Sequence, residues 1–349
     1  MKYPIDLVYM WVDGNDPVWQ QKKAKCYPSD TLLSEQTAGV ARWRDNEELR
    51  YSLRSVEKYA SWINHIYIVT DGQCPAWLDT ANPKITIVDH KEIMPAEALP
   101  TFNSQAIESC IYKIKGLSER FIMANDDTLF VKPVGVDNFF DKEGRVIVRL
   151  MHFERRKAAR RGKYRMTIYR MQNLIQEDFG KKLYLAPHHN FDAYLKSDYQ
   201  YCVENLHAEE WVATAHHRFR HEKDMQRVFV SYYMVAVGHA TMRKVGRYNN
   251  IKGFLGRIKA MLTNRFGNDS RCINNYSKKY AEQLRKYNPI MICANDSERA
   301  TDADALRMKK FLVLFVCSIS LAFYASGFTV VKNGIADVET EEVKAEEKK

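Results

Sequence analysis

The sequence predicts an α/β protein: a mostly parallel sheet flanked by helices, with a helical C-terminal part. Three observations predict it. Short apolar runs recur at Ile5–Val12, His65–Thr70, Ile85–Val88 and Phe121–Ala124, the length and composition of buried strands. Helix-periodic stretches alternate with them in the order strand, helix, strand, strand, helix, strand, which right-handed crossovers turn into a parallel sheet covered on both faces. The last run leads straight into Asn125, Asp126 and Asp127, so two carboxylates stand at the C-terminal end of a parallel strand, where open α/β sheets bind ligands.

Each element follows from local chemistry. Ile5–Val12 is closed by Asp13-Gly14-Asn15-Asp16-Pro17, dense in turn formers. Within it Asp6 costs on the order of several kcal/mol unless it is paired, solvated at an edge, or aimed at a cation or nucleotide. Lys22–Ala41 is polar and irregular and reads as a loop. Asp45 and Glu48 have capping-box spacing, and Leu49, Leu53, Val56 and Ala60 then share one helical face. Asn103 caps a second helix whose buried stripe is Ile107, Cys110, Ile111 and Ile114; Glu108 lies off that stripe, toward water or toward the cleft of the Asp pair. Taken alone, Asp126 and Asp127 read as a turn after a strand. As a site, two carboxylates suit a hard cation such as Mg²⁺, which completes its shell with phosphate oxygens.

The 349 residues suffice for one large domain or two small ones, and 46% hydrophobic content supports a core. A formal net charge of +10 favours acidic partners. Seven cysteines with no Cys-x-x-Cys pair fit a reducing compartment, and Met1-Lys2-Tyr3-Pro4 leads into a strand without a secretory signal. Residues 149–170 hold nine Lys/Arg against the single acid Glu154. That run is either a solvated basic loop or a phosphate clamp; it lacks the interleaved aromatics of a nucleic-acid platform, so no nucleic-acid partner is expected. His217 and His221 are four apart, but a zinc site lacks a clear third ligand in the sequence.

The stretches IDLVYMWVDGNDPVW (5–19), RDNEELRYSLRSVEKYASWINHIYIVTDG (44–72) and LPTFNSQAIES…GLSERFIMANDD (99–127) resemble the first two conserved blocks of the Stealth family, bacterial capsular polysaccharide phosphotransferases to which the catalytic subunit of animal GlcNAc-1-phosphotransferase is similar. YRMQNLIQEDFG (169–180), Ala186-Pro187-His188-His189 and RFRHEKDMQRVFVSYYM (218–234) resemble the third block, and ICANDSERATDAD (292–304) the fourth. The resemblance implies a Rossmann-like or GT-A-like nucleotide-sugar fold. It implies residues 1–148 as a nucleotide-sugar-binding half holding blocks 1 and 2, and 149–305 as a mainly helical half completing the site. It also implies the reaction, transfer of a sugar-1-phosphate from a nucleotide sugar such as UDP-GlcNAc to a hydroxyl of a glycan acceptor, with release of UMP.

On that resemblance Asp127, with Asp126, is the metal or catalytic carboxylate, and Mg²⁺ or Mn²⁺ the expected ion. His188 rather than His189 is the general acid or base, with Glu108 holding a donor hydroxyl or orienting it. Arg170 and Arg220 are phosphate clamps, because the guanidinium fork matches phosphate oxygens, and Asp6 and Asp296 are supporting acidic positions. Two competing functions remain: a glycosyltransferase releasing UDP, and a non-catalytic membrane-attached binder of anionic glycans.

The family's usual soluble ending is replaced. Residues 306–331 form a hydrophobic segment, with Phe311–Val331 free of charge for 21 residues, and 332–349 a charged tail expected to be disordered. As a helix 311–331 spans about 31 Å at roughly 1.5 Å per residue, close to a bilayer's hydrocarbon thickness. It is expected either as an anchor holding the enzyme on the cytoplasmic face of the membrane or as elements packed on the core.

Overall fold

The computed structural model describes residues 3–27, 43–152, 163–188, 190–249, 251–274, 279–296 and 300–317. Its centre is a five-stranded sheet. Strand β1 (Ile5–Met10) lies between β2 (Ile66–Thr70) and β4 (Arg120–Asn125), β3 (Ile85–Asp89) flanks β2, and β8 (Asp192–Leu195) flanks β4. The first four strands are parallel and β8 runs antiparallel to β4. Ile5 through Tyr9 and Ile66 through Thr70 are all buried, which is why these strands read as continuous apolar runs rather than as alternating ones.

The order matters for function. From β1 the chain builds outward through β2 to β3, then crosses back to place β4 on the other side of β1. The crevice above the C-terminal ends of β1 and β4 is therefore the switch point of the sheet, where α/β folds bind ligands. There β4 turns at Asp126–Asp127 into β5 (Thr128–Phe130), which belongs to a second sheet with β11 (Met291–Asn295) and β10 (Ser270–Asn274). The Asp pair is the hinge between two sheets. A third sheet joins β6 (Val146–His152) to β7 (Leu185–Pro187) and β9 (Ala240–Lys244).

Two early helices depart from the sequence reading. Helix α1 (Pro17–Cys26) continues through Lys22–Cys26, where a loop is expected. It buries a single side chain, Trp19, so it carries no apolar period; its signal is the cap, Asp16 accepting from Val18 N with Pro17 in the first turn. Helix α2 (Glu48–Tyr59) starts at Glu48 and not behind an Asp45 capping box. Asp45 instead accepts from Glu47 N at 2.8 Å, and Glu47 enters the helix in the left-handed region at φ 64°. All residues from Glu48 to Val56 are buried. One flank of α2 meets the main core, and the other docks β5, with Phe130 N donating to Ser55 Oγ at 2.9 Å.

The remaining α-helices among the described residues are α3 (His90–Ile93), α4 (Ser104–Glu108), α5 (Lys163–Phe179), α6 (Lys196–Asn205), α7 (Ala208–His216), α8 (Arg227–Val237), α9 (Gly253–Thr263), α10 (Tyr280–Tyr287) and α11 (Asp302–Cys317). Asn103 caps α4 as expected, accepting from Gln105 N. The expected division after residue 148 falls inside β6, and one core draws on residues from Ile5 to Met291, so the two halves share their interior. Nor does the hydrophobic segment begin as a separate unit: α11 starts at Asp302, and Leu312 is buried against Tyr51, Leu129 and Tyr280. Among the described residues no helix is long and apolar enough to cross a membrane; 318–331 and the charged tail lie outside them.

Candidate active site

The floor of the crevice is acidic. Asp126 and Asp127 occupy the β4–β5 corner and keep part of their surface exposed. Burial holds the Asp126 carboxyl well above the usual carboxylate range, and the charges of Asp127, Glu48 and Asp45 add to it. Asp127 is raised by burial too, opposed by the Cys293 thiol, which donates to its Oδ2 at 3.1 Å, and by the charge of Arg227. Glu48, in the first turn of α2, is pushed to about 7 and Asp45 to about 6, both chiefly by burial. Asp296 follows β11 and its charge reaches Asp127; Arg44 Nη1 holds it at 3.2 and 3.0 Å from the two carboxylate oxygens. Strand β11 is itself pinned to the corner by Ala294 N donating to Asp127 O at 2.6 Å.

This donor set fits a divalent cation. Asp127 Oδ1 is buried and accepts no hydrogen bond among the described residues, the costliest condition for a carboxylate. Every offered ligand is an oxygen, and Mg²⁺ is characteristically held by one or two carboxylates plus phosphate oxygens.

Behind the corner lies a buried network of charges. Arg227, the first residue of α8, stands 3.7 Å from Glu108 Oε1 and 3.5 Å from Asp192 Oδ2. Arg149 lies 3.6 Å and Arg243 2.9 Å from Asp269 Oδ2. Arg149, first cation of the basic run, is therefore a core residue; positions 153–162 of that run lie outside the described residues. His188 is tied to the same region, its backbone N donating to Arg149 O at 3.0 Å and its Nδ1 paired with Ser270 Oγ at 2.8 Å. His189 lies outside the described residues.

A second hub is Asp224, fully buried. It accepts from His217 Nδ1 at 2.6 Å, His221 N at 2.8 Å and Asn103 Nδ2 at 2.9 Å. Asp224 also supplies the third ligand that a zinc reading of His217 and His221 lacks in the sequence: candidate ligand atoms of the three lie within 4.8 Å of one another. Three hydrogen bonds already engage its carboxylate, so the geometry seen is that of a loop clasp. Arg170 serves the same loop, donating from Nη1 to Lys223 O at 2.6 Å and Asp224 O at 3.3 Å. Arg220 donates to Ser104 Oγ at 2.6 Å, at the start of α4. Helix α4 joins the two hubs, with Ser104 at the clasp and Glu108 at Arg227.

The predicted residues therefore divide. Asp126, Asp127 and Asp296 converge, with Glu108 linked to them through Arg227. Arg170 and Arg220 gather at the Asp224 loop. Asp6 is a correction: it sits four residues before the end of β1, about 13 Å from the crevice at roughly 3.3 Å per residue, and accepts from Asn64 Nδ2 at 2.8 Å and Ser118 N at 2.7 Å. It is a buried staple for two loops at the opposite edge. Arg227, Asp192 and Glu48 are the residues sequence reasoning missed; an Arg inside the otherwise apolar start of α8 is the one visible signal.

Beside the crevice, a cavity of about 520 Å³ is lined by Gly14, Trp19, Lys23, Tyr27, Trp43 and Arg44. The Trp19 and Trp43 rings lie 5.3 Å apart and Lys23 Nζ stands 4.5 Å from the Trp43 ring centre. A Cβ on Gly14 would meet Trp43 O at 1.9 Å, so only glycine permits this wall.

Comparison with known proteins gives the family. Models of Stealth protein conserved regions 1, 2 and 3 match residues 3–27, 42–148 and 203–236. Asp126, Asp127, Glu108, Arg220 and Asp224 fall inside those regions; Arg170, His188 and Asp296 fall outside them. An exopolysaccharide phosphotransferase of Lactiplantibacillus plantarum is 33% identical over 318 residues, 80% of this chain and 90% of that protein. Another from Streptomyces coelicolor is 49% identical over 146 residues, 41% of this chain and 24% of that protein. Among solved structures, a galactosyltransferase complexed with donor and acceptor sugar analogues aligns over 90% of this chain and 95% of its own at 10% identity, with a TM-score of 0.41. The class is that of a transferase with an α/β fold. The chain belongs to the Stealth family, and its matched relatives are named capsular polysaccharide and exopolysaccharide phosphotransferases.

Proposed function

We propose that this enzyme transfers a hexose- or HexNAc-1-phosphate from a nucleotide sugar such as UDP-GlcNAc to a sugar hydroxyl of a glycan, forming a phosphodiester and releasing UMP. The observation that carries the reading is the Asp126–Asp127 corner at the sheet's switch point, with one buried oxygen unpartnered among the described residues and the charge of Arg227 acting on Asp127. Asp126 and Asp127 would hold Mg²⁺ or Mn²⁺, which when bound neutralises charge on the diphosphate. The cavity of Trp19 and Trp43 suits the donor's nucleoside, with Lys23 and Arg44 toward its phosphates. The acceptor oxygen attacks the phosphorus next to the donor sugar, the bond from that phosphorus to the bridging oxygen breaks, and the electron pair leaves with UMP. His188, its Nδ1 set by Ser270, is the candidate to take the acceptor's proton at Nε2. Arg220 supplies a guanidinium to phosphate oxygens, and positioning provides much of the rate.

The test is the nucleotide product. Incubation with UDP-GlcNAc, Mg²⁺ and oligosaccharide acceptors is expected to yield UMP. UDP as the product would replace this reading with glycosyl transfer, and no turnover with any nucleotide sugar would replace it with binding alone.

A further inference from the structure

Helix α9 carries its apolar side outward. Surface helices normally turn large apolar side chains to the core. Here the buried side chain is the small Ala260, and a Cβ on the neighbouring Gly256 would meet Ile251 Cγ2 at 3.1 Å. Phe254, Leu255, Met261 and Leu262 are 77%, 79%, 63% and 83% exposed, and Ile258 is 38% exposed. At about 100° per residue these five fill an arc of about 120°, with Arg257 and Lys259 each about 40° beyond its two edges. Scattered exposed apolar residues are ordinary, but a contiguous patch rimmed by charge marks an interaction site.

The charge around the patch selects the partner. Residues 225–268 contain no Asp or Glu, and 243–265 contain seven Lys or Arg. A second copy would set these cations against each other. An anionic lipid surface answers both features, taking the apolar arc at the acyl boundary and the cations at the phosphates. Eleven residues of helix, about 16 Å, lie along such a surface and cannot span it. We propose that α9 seats the enzyme on an anionic bilayer, through a surface distinct from residues 311–331.

The full chain is floated with vesicles of phosphatidylcholine alone and of phosphatidylcholine mixed with phosphatidylglycerol. Expected is binding to the mixed vesicles that weakens with salt. Leu255→Ser with Leu262→Ser is expected to lower the partition by about tenfold or more. Arg257→Glu with Lys259→Glu is expected to do the same on mixed vesicles. Unchanged thermal unfolding shows that both variants fold. Three results overturn the proposal: no binding by the wild type; wild-type binding by the double-Ser variant, which moves the lipid contact to 311–331 or elsewhere; or a wild-type dimer that the double-Ser variant dissolves without any vesicle binding.

Discussion

Asp127 is costly as a charge: burial, and to a lesser extent the charge of Asp296, raises its carboxyl. Asp127→Asn removes the charge at nearly the same shape. Turnover is expected to fall about a hundredfold or more, with thermal stability equal or higher because repulsion with Asp126 is relieved; product formation and thermal unfolding check the two halves. Arg227 behaves oppositely. Arg227→Met strands Glu108 and Asp192 without their shared cation, and loss of about 3–5 kcal/mol is expected from denaturant unfolding. Arg220, half-exposed at Ser104, separates the two effects: Arg220→Lys keeps the charge and loses the fork, so activity should fall strongly while stability moves by less than about 1 kcal/mol. At this scale the acid pair was legible because it interrupts an apolar strand. Arg227 was not, since its partners are 119 and 35 positions away (Glu108 and Asp192).

Among the elements, α2 shows what a periodic pattern omits. Leu49, Leu53 and Val56 mark one face, yet Tyr51, Ser52 and Ser55 are buried on the other because β5 and α11 cover it. This two-sided burial raises Glu48 to about 7. A carboxyl raised on folding takes nothing from stability below its unfolded value near 4.5, and takes progressively more as pH rises to 7. Glu48→Gln should therefore leave stability unchanged at pH 4 and raise it at pH 8, by about 1–2 kcal/mol once the altered bond to Asn46 Nδ2 is deducted; thermal unfolding across pH 4–8 in the absence of divalent ions checks this. Strands β1 to β4 were legible, their ends good to a residue or two; β5 to β11, mostly short and carrying polar residues, were not. Helix α1 was not, because a helix with one buried residue has no period to read.

For the molecule as a whole, two sheets meet so that β4, β5 and β11 close on one corner. A cation bound there stabilises the folded state by mass action, about 2.7 kcal/mol at a hundredfold excess over Kd. Mg²⁺ or Mn²⁺ is expected to raise the unfolding temperature of the wild type and not of Asp127→Asn, and EDTA to abolish turnover. Full activity in EDTA would exclude an accessible, essential ion.

The sequence by itself determined the parallel strands, the acid corner at the end of β4 and the family, because apolar runs, turn formers and long motifs are local properties. Only the tertiary structure decided which distant charges share a space. Asp6 lies inside one apolar strand and Asp127 just beyond the end of another, and the sequence alone does not decide which of them serves the crevice. Parallel register does: it puts Asp6 opposite Phe121, at the start of β4, and leaves Asp127 beyond its end, where β11 brings Cys293 and Asp296. The outward face of α9 is of the same kind, since an amphipathic period shows that two faces exist and packing alone selects which one meets the protein.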